Sequence, residues 1–490
     1  MTPPIQDKII DENLKWARIN DDVLRSMENP RRAYWITFAV CLAMFAVAIA
    51  AEIYQYRTGM GVAGLSNPHM WDMYIATFVF WIGMSHAGTL LSAILHIIHA
   101  QWRKPIYRFA EAMTTFSLMT AGFFPMIHLG RVWNFYWVLP YVSDRGIWPN
   151  FRSPLVWDAF AISTYLSASA LFLVIGLIPD LAIARDHTTG WRRKLYGVLA
   201  LGWRGDDRQW RNFRKTYMLM ACFLIPLAIS VHSIVSSDFA MSLMPGWHVT
   251  TFPPYFVAGA LYSGCAAIMT LFIALRYFFR FEEYMTLNIM EKTCKLTFAI
   301  AMVWSYLNLI EFAATWYGHN VYDKELLIDK AVGPYAGLFW LMIFCGVVAP
   351  FGLCFEKLRR NMPAMLVMSV VLQIGMYVER WMIVTPTLSM AHNPHQWQTL
   401  WGPVVEWAIV FGSFGWFGLL FLVFVKLFPS VSMYEVKELA FHLKAEIEEE
   451  AHAAKHAQGE AHAHGPHGSL GGGGVPVSAP AAPRSGKEGS

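Results

Sequence analysis

Long apolar runs separated by short polar connections fill the chain from about residue 33 to residue 428. They fall at 33–54, 72–98, 107–128, 155–179, 216–235, 253–277, 293–318, 332–355, 362–385 and 402–427. Each is close to the length that carries a helix across a bilayer. The runs are continuous, without the period of two that a membrane strand requires. The pattern predicts an all-α membrane protein of about ten transmembrane helices. Helices 2–5 and 6–9 repeat one order of connections. Small residues recur at the centres of WIGMSHAGTLLSAIL in helix 2 and VAGALYSGCAAIMTL in helix 6, where they would let helices approach closely. Two four-helix bundles, helices 2–5 and 6–9, flanked by helices 1 and 10, are expected.

Composition supports the membrane reading: 56% of the 490 residues are hydrophobic and only 15% are charged, against roughly a quarter charged in soluble chains. Residues 1–32 read as a polar arm with no apolar core of a signal peptide, residues 33–428 as the membrane domain, and residues 429–490 as a charged helix followed by a tail. The tail runs through a His/Ala/Gly tract to GGGGVPVSAPAAPRSGKEGS, a composition expected to be disordered. Of the 38 Lys and Arg residues, 31 lie on the termini and alternate connections, six lie on the opposite connections, and Arg380 falls within a span. This asymmetry places both termini in the cytoplasm. The basic connection 180–215 then faces anionic headgroups on the inside. The outer connections 129–154 and 235–252 are rich in aromatic residues, which anchor at headgroup depth and could also roof a site for a lipid-soluble ring.

The six cysteines are scattered singly, without CxxC or CxxCH spacing, and are expected to be buried, inert thiols. No cysteine-ligated iron–sulfur cluster or covalent haem is therefore expected. Histidines do not pair at matching depth on facing helices, which argues against haem b, and no metal site or nucleic-acid partner is expected.

Four ionisable residues gather at the outer ends of different helices: His128 in FFPMIHLGR, Asp158 in SPLVWDAFAIS, Arg380 in QIGMYVERWMIV, and Asp238 just beyond the end of helix 5. Charge near hydrocarbon depth is costly and usually faces a bundle interior or a cavity. A histidine and a carboxylate suit the oxidation of a hydroquinone. The imidazole accepts a hydrogen bond from one hydroxyl, the carboxylate takes the proton of the other, and Arg380 would hold that carboxylate ionised. The blander alternatives are an Arg–carboxylate tie between helices and a capping histidine. A second trail of polar residues, His86, His232, Tyr306, Glu311 and Glu379, lies deeper. Such groups serve either as a proton path or as ordinary interhelical contacts.

The stretches GMSHAGTLLSAIL, PMIHLGRVWNFYWVLPY, WPNFRSPLVWDAFAISTYL and SSDFAMSLMPGWHVTTFPPYFVAGALYSG resemble the NrfD/PsrC superfamily of integral membrane subunits. More closely, they resemble the ActC-type subunit of bacterial alternative complex III. The resemblance covers about residues 30–430. It implies a multi-pass subunit of the bacterial inner membrane that oxidises quinol, either menaquinol or ubiquinol, near the outer face. It also implies partners: an iron–sulfur subunit, cytochrome c subunits and a second NrfD-like membrane subunit. The family's quinol-site His, Asp and Arg match His128, Asp158 and Arg380, with Asp238 as a further acid. The competing expectations are a proton-conducting subunit without its own quinol oxidation, a scaffold that anchors redox partners, and a secondary transporter. The last lacks the paired broken helices of that class.

Overall fold

The computed structural model describes residues 16–66, 69–140, 153–318, 320–390 and 394–445. The expected disordered tail from 446, residues 1–15 of the arm and part of the aromatic connection 129–154 lie outside the described residues. Among the described residues all regular structure is helical.

The helices are α1 Trp16–Glu28, α2 Arg32–Thr58, α3 Met73–Ile97, α4 Tyr107–His128, α5 Pro154–His187, α6 Gly190–Leu199 and α7 Asp207–Ala240. They continue with α8 Phe252–Phe279, α9 Leu287–Tyr317, α10 Val321–Val332, α11 Ala336–Ile343, α12 Glu356–Arg359, α13 Met362–Ser389 and α14 Val404–Leu427. A further helix begins at residue 433. α11 is prolonged by a π turn, Phe344–Val348, and a 3-10 turn, Ala349–Cys354, to make one span. Among the described residues nine helices are long and apolar enough to cross a membrane. α4 joins them as a tenth when it is counted with Val132–Val138, to which it bends by 102°.

The ends of the spans differ from the apolar runs because polar residues prolong the helices beyond the apolar stretch. α7 is 34 residues long: Asp206 caps its start by accepting from the Gln209 backbone N–H, and its end reaches Ala240. Asp238, expected beyond the helix, therefore sits on its last turn.

α3 is the centre of the molecule. Its most apolar window is 94% buried, against 11% for α2, and it packs on α4, α7, α8, α13 and α14. α3, α4, α5 and α7 form one bundle, and α8, α9, α11 and α13 form the second. The two meet along α3–α8, α7–α8 and α3–α13, and α2 pairs with α14 outside them. Small residues at the seams permit this. Gly264 of α8 lies against Ala87 and the Met84 carbonyl of α3, and Gly412 of α14 against Ala48 of α2. The cysteines are not uniformly buried: Cys265, Cys294 and Cys345 are, whereas Cys222 and Cys354 are exposed, on apolar helix surface where a thiol meets lipid as readily as core.

A side chain at Gly264 would drive into α3 backbone, and such overpacking costs about 1–3 kcal/mol or more. Gly264→Leu should therefore lower the yield of monodisperse solubilised protein severely. Gly61→Leu, whose Cβ would meet open space, should behave as the parent in the same size-exclusion measurement.

Candidate functional site

At one end of the first bundle, here called the His128 end, a cavity of about 670 Å³ opens between the start of α3, the end of α4, the start of α5 and the end of α7. Local sequence builds it. Pro125 sits in the last turn of α4, and Gly130, at φ +67°, takes the left-handed conformation that turns the chain away. Ser153 is extended and Pro154 opens α5, a start that its fixed φ favours, leaving Asp158 one turn in. The walls are apolar, among them Phe78, Leu118, Ile162 and Phe239. The rim residues Phe123, Met126, Phe135 and Leu155 are exposed, so the cavity communicates with the lipid-facing surface between α4 and α5.

Three ionisable side chains line this largely apolar space: His128, Asp158 and Asp238. His128 Nδ1, Asp158 Oδ1 and Asp238 Oδ1 are buried without a hydrogen-bond partner. The two carboxyl groups are close enough to hydrogen-bond to each other. Such a bond exists only while one of them carries a proton, so the pair can hold a single proton and still offer an acceptor. An orphaned polar atom in apolar surroundings costs free energy; three border this one cavity, and an apolar lining with a few convergent polar groups is the usual make-up of a small-molecule site.

Arg380 is not part of this lining. It sits on α13 beside Glu379, with Nη1 3.2 Å from Glu379 Oε1, and its guanidinium covers the Phe256 ring at 4.7 Å. The sequence shows its depth but not its facing: the helix presents it to α8 and the bundle seam rather than to α4 and α5. There it lies close enough to His232 to act on it electrostatically. Tyr306 is also displaced from its expected place. Trp304 and Asn308 point inward from α9, so a residue halfway between them in phase points outward, and Tyr306 is 62% exposed.

The remaining members of the second trail do assemble, together with residues that sequence reading missed. His86 Nδ1 is 2.7 Å from the Ile82 carbonyl, to which it donates, leaving Nε2 open. Its ring lies 4.5 Å from that of His232 and 4.9 Å from that of Tyr165. Toward the opposite end, Ser92 and Tyr217 both donate to Glu111 Oε1, at 2.7 and 2.5 Å. Beyond them Arg108 pairs with Asp180 at 2.7 Å, both fully buried. Toward the His128 end of the second bundle come Arg380 and Glu379, then Tyr255, and then a small cavity of about 70 Å³ lined by Glu311, Asp323 and Lys330. Thr251 donates to Glu311 at 2.6 Å. Burial lowers the Lys330 ammonium to about 8, with Glu311 and Asp323 opposing the shift. Polar side chains thus run from the far end of the first bundle, across the seam at His86 and His232, to the near end of the second. Arg108 and Asp180 were hidden in the sequence because each falls at the edge of an apolar run. Glu111, three residues after Arg108 and so on the same helical face, was the available signal. Among the described residues, no group of three or more His, Cys, Asp or Glu side chains is placed to hold a metal ion.

Removing one partner of a buried ion pair leaves an uncompensated charge and costs about 3–5 kcal/mol. Arg108→Met should accordingly lower the thermal unfolding midpoint sharply, and the double change Arg108→Met with Asp180→Leu should recover most of the loss.

The family model of polysulphide reductase NrfD matches residues 61–391, which contain both four-helix bundles but neither α2 nor α14. A putative membrane subunit of dimethyl sulfoxide reductase from Halobacterium salinarum is 26% identical over 344 residues, covering 69% of this chain and 74% of that protein. A selenate reductase subunit of Mesobacillus selenatarsenatis is 23% identical over 410 residues, 80% of this chain and 93% of that one. An Hdr-like menaquinol oxidoreductase integral membrane subunit of Archaeoglobus fulgidus is 22% identical over 438 residues, 85% and 98% respectively. The chain belongs to the NrfD family of integral membrane subunits.

Proposed function

We propose that this NrfD-family chain is the quinol-oxidising membrane subunit of a redox complex, of the ActC type found in alternative complex III, with the substrate bound in the cavity at the His128 end. The observation that carries the reading is the set of three unpartnered polar atoms, on His128, Asp158 and Asp238, around an apolar space of about 670 Å³. That volume lies in the range of small-molecule sites, and the open rim suits a substrate that arrives through lipid. The Archaeoglobus relative, by its name, is a menaquinol oxidoreductase subunit. Menaquinol and ubiquinol offer the same two hydroxyl groups.

His128 Nδ1 accepts the hydrogen bond of one hydroxyl, and the ionised member of the Asp158–Asp238 pair accepts that of the other. Oxidation of quinol to quinone releases two protons, one to the imidazole and one to the carboxyl pair, together with two electrons. The electrons pass to a partner subunit with an iron–sulfur cluster, then to cytochrome c subunits, and a second NrfD-like subunit makes up the rest of the membrane part. The Lys and Arg asymmetry supports cytoplasmic termini, hence an outward-facing site in the bacterial inner membrane.

Within the assembled complex, His128→Gln and Asp158→Asn should each lower kcat/KM for quinol oxidation about a hundredfold or more while assembly is kept. Leu166→Trp, which narrows the cavity about two turns away from Asp158, should chiefly raise KM. Wild-type quinol oxidation in both polar variants would leave the chain as an anchor.

A second reading is supported by the polar residues that cross the bundle seam: the chain also conducts protons, through His86, His232, Glu379 and Glu311, with Arg380 as the fixed charge beside His232. His86→Leu with His232→Leu should abolish proton translocation coupled to quinol oxidation in proteoliposomes and leave the oxidation itself measurable. Unchanged translocation in that variant would return these residues to the role of helix contacts.

A further inference from the structure

Far from the cavity, at the opposite end of the first bundle, the chain returns after α14 and lays residues 430–440 across the ends of α4, α5 and α7. Val431, Met433, Val436 and Leu439 are fully buried there. The Tyr434 backbone N–H donates to Asp180 Oδ1 at 3.1 Å, and its ring packs on Trp210 and Phe213 at 5.5 and 5.6 Å. Arg103 Nη2 holds Glu435 Oε1 at 3.0 Å with both side chains about 5% exposed, whereas the Lys104–Glu438 pair outside it, also 3.0 Å, leaves Glu438 48% exposed.

Beneath this segment polar atoms of both signs lack partners: Arg103 Nη1, Arg108 Nε and Nη1, Glu111 Oε2, Ser432 Oγ and Glu435 Oε2. Gly176 of α5 explains part of this. A Cβ there would lie 2.8 Å from Arg108 Nη1 and 3.6 Å from Glu111 Oε2, so the missing Cβ makes room for the guanidinium itself and brings one open donor and one open acceptor to the same place. Buried polar atoms that meet no protein partner are ordinarily satisfied by ordered water. Glu111 also touches Ser92 through its other oxygen, toward the residues around His86 and Tyr165.

We propose that Glu111 is the proton-exchange site at this end of the polar column, with water joining Glu111 Oε2 to Arg108 Nη1 as its immediate partner. Residues 430–440 are the lid that separates it from the aqueous phase, latched by Arg103–Glu435. The inference rests on reading the column as a proton conductor. The step is a proton transfer alone: hydronium reaching this place gives its proton to Glu111 Oε2 and leaves water behind. With the lid latched, exchange stops.

The test is carbodiimide labelling of the assembled complex in membrane vesicles, with a water-soluble carbodiimide and an amine nucleophile, and adducts at Glu111 quantified by mass spectrometry. Glu111 is expected to be protected in the parent and in Lys104→Gln. Labelling should rise about tenfold or more in Glu435→Gln, which loses a buried charged hydrogen bond. Retained quinol oxidation in Glu435→Gln shows that the complex is folded; should that variant fail to assemble, Glu435→Asp is read in the same way. Equal labelling in parent and latch variant, or equal protection in both, overturns the lid. Exposure of Glu111 by latch opening, combined with undiminished proton translocation in Glu111→Gln, overturns the exchange role and the column reading together. Quinol oxidation at the distant cavity is a separate measurement and stands or falls by its own variants.

Discussion

Inside a hydrocarbon layer a polar side chain has no water to fall back on, so each buried donor or acceptor must be matched by protein or by a ligand. Most of this chain obeys that constraint closely. Arg108 is matched by Asp180, Arg103 by Glu435, Asp72 by Thr385 at 2.6 Å, and Glu406 accepts from the Tyr74 backbone N–H at 3.3 Å. These ties hold α13, α14 and the segment after it onto the central α3 and α4. Against that background the unmatched atoms stand out as a map. Most of them cluster at the His128 cavity, at the histidine crossing between bundles, and around Arg108 and Glu111 beneath residues 430–440.

The two bundles make the point again by comparison. The large cavity is framed by the start of α3, the end of α4, the start of α5 and the end of α7. The small one is framed by the start of α8, the end of α9, the start of α11 and the end of α13. Under an offset of four spans these are the same positions. In the second bundle α10 lies between α9 and α11, with Leu326 buried and Lys330 and Asp323 lining what space remains. About 670 Å³ in one bundle therefore corresponds to about 70 Å³ in the other. One architecture offers room for a ring in its first half and room for little more than water in its second, which suits quinol chemistry on one side and proton handling on the other.

Much of this was legible in the sequence because hydrophobicity reports depth. The ten apolar runs correspond to the spans, the small-residue repeat corresponds to the paired bundles, and His128, Asp158 and Asp238 were recognised as sharing one membrane end, where they line one cavity. Depth is not facing, however. Arg380 is at the right level but belongs to α13, whose polar face meets α8, and Tyr306 is out of phase with the buried residues of α9. Glu111 and Asp180 escaped notice for the converse reason: at the margin of an apolar run, a residue inside a helix bundle and one in a connection look alike. The lid was illegible altogether, since the amphipathic sequence after residue 430 does not say what it covers.

The central claim is that quinol binds between α4 and α5 at the His128 end. Photoaffinity labelling of the assembled complex with a ring-substituted azidoquinone, followed by peptide mapping, tests it most directly. The account predicts adducts within 118–128 and 155–166, competed away by excess quinol. Competed adducts confined to the second bundle, or to the exposed face of α2, would contradict it.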